Sequence, residues 1–437
     1  GQVFKNTGVR LDAEDMGLSF FGWPGVVLYK ATAAIPVNYQ FDLDLAAEEV
    51  VARAGIGGLA AALALSRQGA RVELIEQAAA FAEVGAGIQI GPNVTRILRD
   101  WGLEAPLRRV ASFPHGLLAR DARSGRELGH LPLGQRAEQL YGAPYACIHR
   151  ADLHQLLLQA VQTRGVALHL NQRLAEVHLQ EGRVTVRTEQ GLARQPALLV
   201  GADGLWSRSR QALGLNEPPR FSGHLAYRGL IPSPTPAVQL QVTVWMGPRL
   251  HIVQYPVQAG RALNVVAIVH GEVPVNPEGW DHAAHAAHLF QALGPICRPL
   301  QQTLEAVPRW RLWALNDRPP LTSARQMGQG TVALLGDAAH PMRPYLAQGA
   351  GMAIEDAQAL AQCWVEKGTV AERVQRYAEQ RWPRNAQVQA RAIRNGRIFH
   401  AHGPISWGRN LAMGVLGAKV MDVPWLYKGM DFPSSRE

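Results

Sequence analysis

The residues best suited to chemistry lie in one run, Gly336-Asp337-Ala338-Ala339-His340-Pro341, which continues through Pro344-Tyr345-Leu346-Ala347-Gln348-Gly349 to Glu355-Asp356-Ala357. The run follows an apolar, strand-like stretch from Thr331 to Leu335 and leads into an Ala-rich helix expected to begin near Ala350. A strand that stops at Gly-Asp sets Asp337 where one carboxylate can meet a ribose hydroxyl. The Gln-Gly-Ala-Gly helix start behind it offers the bare backbone N–H groups of Gly349 and Ala350 and a positive dipole end. Together these suit an extended, electron-rich nucleotide cofactor, one end of which becomes anionic on reduction. A flavin fits that description.

A second nucleotide signal is Ala54-Gly55-Ile56-Gly57-Gly58-Leu59, followed by an Ala/Leu helix and the strand Arg71 to Glu76. Gly55, Gly57 and Gly58 would let backbone approach a pyrophosphate, and Glu76 would hold the adenosine ribose. The first glycine of a GxGxxG pattern should stand at position 53, where the chain has Arg53, and Glu48 and Glu49 sit where a buried parallel strand should be apolar. Either the residues before Ala54 are foreign to the rest of the chain or the turn is weakened; the abrupt regularity from Ala54 favours the former. A further glycine cluster, Gly85 to Asn93, is read as a loop and helix start along the same cofactor. Arg150 opens a helix with Leu153, Leu156 and Leu157 inward, a position from which it can reach a phosphate. The strand Pro196 to Val200 ends in Gly201-Ala202-Asp203-Gly204, before Ser207, Arg208 and Arg210. Taken alone, Asp203 could simply cap a tight turn; in company with the other segments, cofactor contact is the preferred reading.

The elements that must position these residues follow an α/β order. Residues 1–45 carry no pattern that assigns them a role, 46–214 alternate strands and helices, and 321–365 return to the cofactor. Between them, 215–320 is sheet-rich, with alternating stretches such as Gln239 to Trp245 and Ala262 to Ala267 expected as half-buried strands. Residues 366–437 are expected to be largely helical. The chain has 437 residues, 47% hydrophobic and 18% charged, which fits a globular enzyme and argues against disorder. Its net charge of +9 draws heavily on the arginines between Arg373 and Arg397, read as a solvated helix face. That charge would also attract a nicotinamide nucleotide or an aromatic carboxylate, whereas no nucleic-acid module is present. Three scattered cysteines indicate neither disulfide nor zinc. His282, His285 and His288, at helical spacing, read as a polar helix face, so no metal is expected. No apolar run reaches membrane-spanning length. Lys5, Arg10 and the apolar stretch Leu18 to Tyr29 imitate a secretory leader, but Asp12, Glu14 and Asp15 interrupt it, and the cytoplasm is the expected location.

Three segments in this order, the Gly55–Gly58 turn, Gly201 through Arg210 and Gly336 through Ala357, resemble the single-component FAD-dependent aromatic hydroxylases of the para-hydroxybenzoate hydroxylase fold. The likeness runs from about Ala54 to Pro424-Trp425-Leu426-Tyr427 and is nearest to salicylate, 3-hydroxybenzoate and 6-hydroxynicotinate hydroxylases. It implies a Rossmann-like FAD-binding domain with an inserted sheet-rich substrate domain and a helical C-terminal region. It further implies that NAD(P)H reduces FAD, that O2 adds to give a C4a-hydroperoxide, and that its distal oxygen attacks a phenolic acid. On this resemblance Glu76 binds the adenosine ribose, and Arg150 and Asp337 meet the ribityl–pyrophosphate region. Asp203 and Arg210 serve FAD and the pyridine nucleotide, Gly349 and Ala350 face the flavin pyrimidine edge, and Pro344 lies beside the oxygen-reacting face. His224, Tyr227 and Arg228 fall on the substrate side. His251 and Tyr255 share strand parity, so a histidine that takes a phenolic proton and a tyrosine that bonds the phenolate would face one way. His340 is assigned a structural role in the turn. The implied partners are a small aromatic carboxylate and O2, with a homodimer left open. Competing readings are a flavin oxidoreductase of the same fold acting on a non-arene and a non-catalytic flavin-fold binding protein. An ordinary NAD dehydrogenase would leave the 336–356 run without a task.

Overall fold

A parallel sheet lies at the centre of the cofactor half of the chain. The computed structural model describes residues 48–52, 55–80, 86–232, 240–272, 282–284 and 286–430, all within the unit Ala46–Glu437. Arg53, Gly85, His285 and residues 1–45 lie outside the described residues.

In chain order the cofactor half runs β1 (Glu48–Ala52), α1 (Ile56–Arg67), β2 (Arg71–Ile75), β3 (Gly87–Ile90), α2 (Pro92–Asp100), α3 (Glu104–Val110), β4 (Gly116–Asp121), β5 (Glu127–Pro132), α4 (Gln135–Tyr141), β6 (Ala146–His149), α5 (Arg150–Thr163) and β7 (Ala167–His169). A small three-stranded sheet of β8 (Leu174–Gln180), β9 (Arg183–Thr188) and β10 (Ala193–Arg194) precedes β11 (Leu198–Gly201) and the short α6 (Arg208–Ala212). Then come β12 (Arg220–Pro232), β13 (Gln241–Gly247), β14 (Leu250–Val257), β15 (Ala262–His270), β16 (His282–Ala284), α7 (Ala286–Leu293), α8 (Arg298–Glu305) and β17 (Trp310–Asp317). The chain returns through β18 (Gly328–Gln329), β19 (Val332–Leu334) and α9 (Gly349–Trp364), and ends in α10 (Val370–Phe399), α11 (Pro404–Leu416), α12 (Ala418–Met421) and α13 (Pro424–Tyr427).

The first sheet has the order β18-β19-β11-β1-β2-β7, parallel except for β18. Glu48 and Glu49 do not prevent β1 from forming. The strand is flanked on both sides, Glu49 lying opposite Val72 and Leu198, so both ladders satisfy its backbone whatever side chains stand at its amino end. The Ala-rich α1 is buried over almost its whole length and packs on α5 and α9. Small side chains permit that close approach.

The glycine cluster before Asn93 departs from the expected loop, because Gly87–Ile90 is a strand paired antiparallel with β6. A Cβ on Gly87 would fall 2.6 Å from Tyr255 and 2.7 Å from Asn264, and its N–H donates to Asn264 Oδ1 at 2.7 Å. That glycine joins the two halves of the molecule.

The second sheet, β16-β17-β12-β15-β14-β13-β4-β5, extends beyond residues 215–320 because β4 pairs parallel with β13 and brings β5 with it. The two strands that alternation predicted to be half-buried are not so. β13 and β15 are buried on both faces. One face packs Tyr227, Trp245, Ile252 and Val265 against α7 and α8, while the other packs against the Met342–Leu346 loop and the C-terminal helices. The histidines read as one helix face are split, His282 lying in β16 and His288 in α7. Among the described residues no helix is long and apolar enough to cross a membrane.

Candidate cofactor and substrate site

The cofactor signals converge at the carboxyl ends of the parallel strands. β1 sits between β2 and β11, where the strand order reverses, and a ligand crevice is expected at such a switch point. Gly55 caps α1 in extended conformation (φ −71°, ψ 178°) with no side-chain cap, and a Cβ there would meet nothing within 4 Å. Gly349 is the first residue of α9, behind the N-cap Gln348 (φ −109°, ψ 1°), which makes no side-chain cap; a Cβ on Gly349 would also meet nothing within 4 Å. Ala350 follows, partly exposed. Two bare helix starts, each with unpaired N–H groups and open space before it, fit a pyrophosphate at one end and an anionic ring edge at the other. Gly57 serves a different purpose: a Cβ there would press on Leu335 at 2.7 Å and Ala353 at 3.3 Å, so its absence sets the packing of α1 on α9. Gly58 is buried in the same helix. Glu76, at the end of β2, is 8% exposed and accepts from the Ala78 N–H at 2.9 Å.

Asp337 follows β19 directly. It is open to solvent yet densely surrounded, and that desolvation pushes its carboxyl up, with His340 and Arg150 opposing. Arg150, at the first turn of α5, is close enough to bias both Asp337 and Arg228. Asp203, for which a cofactor contact was the preferred reading, caps a turn here. Its carboxylate accepts from Ser207 Oγ at 2.5 Å, the Arg208 and Ser209 N–H groups at 2.8 and 3.0 Å, and Ser209 Oγ at 3.2 Å. Both oxygens are engaged in capping α6, which is the turn-capping alternative. Arg210 is 3% exposed and donates to Ala339 O at 3.2 Å, bracing the turn after Asp337.

The same turn is held from behind by charges that sequence reasoning misplaced. His340 Nε2 lies 2.5 Å from Asp356 Oδ2, which also accepts from the Gly336 N–H at 3.2 Å. Arg381 donates to Asp356 Oδ1 at 2.8 Å and to Glu355 Oε2 at 3.0 Å, all three side chains being wholly buried. Arg384 adds two bonds to Glu355, at 2.7 and 2.8 Å, and Asn93 a third at 2.7 Å. The arginine-rich α10 is therefore not simply a solvated face: its middle neutralises the Glu355-Asp356 pair that ends the motif. Against strong burial, His340 and then Arg381 hold the Asp356 carboxyl below its ordinary range, and Arg384 and Arg381 do the same for Glu355.

Above the turn lies one face of the second sheet. His224, Ala226 and Arg228 alternate onto it from β12, and His251 and Tyr255 from β14. Tyr227, expected beside His224, is one residue out of phase; it packs on the opposite face among Trp245, Leu250 and Trp310. Pro344 precedes Tyr345, whose ring meets those of His251 at 5.0 Å, His400 at 5.8 Å and His224 at 5.9 Å between centroids. A Cβ on Gly396 would strike the Tyr345 ring at 2.5 Å, so that glycine makes its seat. His270 and His400, not singled out in the sequence, complete a group of four histidines. His251 Nδ1 lies 2.7 Å from His400 Nε2, His400 Nδ1 3.1 Å from His270 Nε2, and His224 Nε2 3.2 Å from His270 Nε2. Arg228 stacks its guanidinium 4.8 Å from the Trp313 ring centre, and burial lowers its pKa. Among the described residues it has no carboxylate partner in ion-pair range.

The sequence matches the FAD binding domain family over residues 48–392. It is 36% identical to 3-hydroxybenzoate 6-hydroxylase of Polaromonas naphthalenivorans (strain CJ2), across 86% of this chain and 95% of that protein. It is likewise 36% identical to 6-hydroxynicotinate 3-monooxygenase of Bordetella bronchiseptica, across 77% of this chain and 88% of that protein. Among solved structures, Klebsiella pneumoniae HpxO complexed with FAD and uric acid has a TM-score of 0.77 at 23% identity, covering 87% of this chain and 95% of that one. A salicylate hydroxylase substrate complex has a TM-score of 0.74 at 22% identity, covering 88% and 96%. These two structures share the fold.

Proposed function

Because this chain belongs to the FAD binding domain family and is an FAD-dependent monooxygenase using NAD(P)H, we propose that its substrate is a phenolic aromatic acid, bound with its carboxylate on Arg228 and its ring hydroxyl toward His251. Bound FAD supplies the redox chemistry, accepting a hydride from NAD(P)H and, with O2, delivering one oxygen atom to the ring. The chain's own residues bind, orient and deprotonate.

The observation that carries this reading is Arg228, a half-buried, partly desolvated cation lacking a carboxylate among the described residues. Desolvating a guanidinium without an anion is costly, and a substrate carboxylate offsets that cost only when bound. The curated relatives, named for 3-hydroxybenzoate and 6-hydroxynicotinate, suggest the class: a ring bearing both a carboxylate and an ionisable oxygen. His224 has both nitrogens engaged, by Ser222 and His270. His251 spends only Nδ1 on His400, which supports Nε2 as the acceptor of the phenolic proton. Gly55, Glu76, Arg150 and Asp337 would line the adenosine and pyrophosphate end, with Gly349, Ala350 and Pro344 at the ring end.

Substrate-stimulated NAD(P)H oxidation across a panel of hydroxybenzoates and hydroxynicotinates, with the product identified, tests the reading. At least one member should stimulate oxidation and yield a ring-hydroxylated product; stimulation by none would sink it. Arg228→Met is expected to lower kcat/KM for the acid by about 30- to 1000-fold, from roughly 2–4 kcal/mol for an unpaired buried charge. The methyl ester of the same acid should lose far less. Equal losses for acid and ester would remove Arg228 from carboxylate recognition.

The cytoplasm, where NAD(P)H is held, is the compartment we infer for this reaction. We also infer a homodimer, because α11 presents Ile405, Trp407, Leu411 and Val415 at 70–75% exposure. Leu411→Glu is expected to shift the sedimentation coefficient from dimer to monomer; a variant that sediments like the parent would place the contact elsewhere.

A further inference from the structure

We propose that His224, His270 and His400 form a binding site for one divalent transition-metal ion, separate from the residues assigned to FAD. Their ligating atoms, His224 Nε2, His270 Nε2 and His400 Nδ1, all lie within 4.8 Å of one another. Two of the three edges are 3.2 and 3.1 Å. Nitrogens bound at 2.0–2.1 Å to one tetrahedral zinc stand ~3.3 Å apart, so two edges are already near bound spacing.

The surroundings meet the other requirements of such a site. Each buried ligand has its remote nitrogen oriented, His400 Nε2 by His251 Nδ1 at 2.7 Å and His224 Nδ1 by Ser222 Oγ at 3.3 Å. Outer partners of this kind fix ring orientation and tautomer around a metal. His224 and His400 are 8% and 7% exposed, whereas His270 faces solvent and gives the ion a way in.

The donor set also selects the ion. Three neutral imidazoles with no carboxylate among them suit Zn2+, Co2+, Ni2+ or Cu2+ and give Mg2+ or Ca2+ little. Arg343, near His224 and His400, and Arg249, near His270, add positive charge. Arg343 is paired with Asp317 at 2.5 Å. With His400 ligating through Nδ1, its proton resides on Nε2 and is donated to His251 Nδ1, which places the His251 proton on Nε2; the metal-bound state is therefore one in which His251 cannot accept the phenolic proton, and its role as base belongs to the metal-free enzyme.

The test uses the FAD-loaded enzyme, stripped with a chelator and then titrated with Zn2+ by calorimetry and with Co2+ by visible absorption beyond the flavin bands. One ion per chain should bind with micromolar or tighter affinity, and Co2+ should give ligand-field bands. His270→Gln, a change at an exposed side chain, should weaken binding by about 100-fold or more while leaving the flavin spectrum unaltered. His224→Asn should give the same loss from the buried side. His402→Ala, at an exposed neighbour outside the cluster, should leave affinity unchanged. Absent micromolar binding, binding indifferent to His270→Gln and His224→Asn, or equal loss in His402→Ala would each overturn the site.

Discussion

Replacing His251 with alanine is expected to lower kcat for hydroxylation by about 10²- to 10⁴-fold, the usual contribution of a positioned acid or base, with a much smaller change in KM. His251 is 1% exposed, its ring stands 5.0 Å from that of Tyr345, and its Nδ1 is committed to His400 at 2.7 Å. Burial first, and then neighbouring His224, push its pKa down to about 3. The imidazole therefore meets substrate uncharged, with Nε2 able to accept a proton and His400 next in line to share it. Removing it spares the carboxylate contact proposed for Arg228, which is why binding should largely survive. The fraction of NAD(P)H converted into hydroxylated product should fall with kcat. Tyr227→Phe is the paired control. It alters a residue on the far face of β12 and should leave turnover within about twofold. A loss under 10-fold in His251→Ala, or a large one in Tyr227→Phe, would reverse the assignment.

Arg381→Met is expected to cost about 3–5 kcal/mol of unfolding free energy, the range for removing one partner of a buried ion pair. The side chain is wholly buried and serves both Glu355 and Asp356, which lie in a helix whose other buried residues are all apolar. Methionine fills much of the volume but leaves two carboxylates to Arg384, Asn93, Asn385 and His340. Denaturant unfolding measures the loss, and a midpoint within 1 kcal/mol of the parent would mean that the remaining partners suffice. The network also sets a pH dependence. Both carboxyls have folded pKa values depressed below their unfolded values of about 4. The stability they contribute is present above that unfolded value and is lost progressively as pH falls below it toward the folded values. The parent should lose stability from about pH 4 downward, and Arg381→Met should show a shallower acid loss because less depression remains to be given up.

Much of this site could be read from local pattern. The strand before Gly336, the helix at Gly349, the helix start at Arg150 and the shared facing of His251 and Tyr255 each follow from a few neighbouring residues. The misplacement of Tyr227 was avoidable, since an odd separation from His224 on one strand already puts the two on opposite faces. Asp203 gave a weaker signal: Ser207 and Ser209 just beyond it are capping partners, but a ribose contact uses the same carboxylate. The ion network and the histidine cluster were not legible because their members are distant in sequence. Arg381 looks like any other arginine of a basic helix until α9 is packed against it, and His400 meets His251 and His270 only after α10 has crossed the sheet. Helical periodicity says which way a side chain points along its own axis, not what another element will place there.

The way β4 and β5 join the second sheet also bears on how the molecule is made. Gly116 pairs with Gln241, Glu49 with Leu198, and Leu199 with Val332, so neither sheet closes until most of the chain has been synthesised. Pairings between residues so far apart carry a large loop-closure entropy, and chains of this length commonly pass through partly collapsed intermediates. The β11-facing edge of β1 would wait unpaired while the rest of the chain emerged, a state prone to association with other chains. Yield in a heterologous host should therefore depend on growth temperature and chaperone supply. Fragments cut at the apparent boundary near residue 215 should not fold separately, since the first would lack β18 and β19 of the first sheet and the second would lack β4 and β5 of the second.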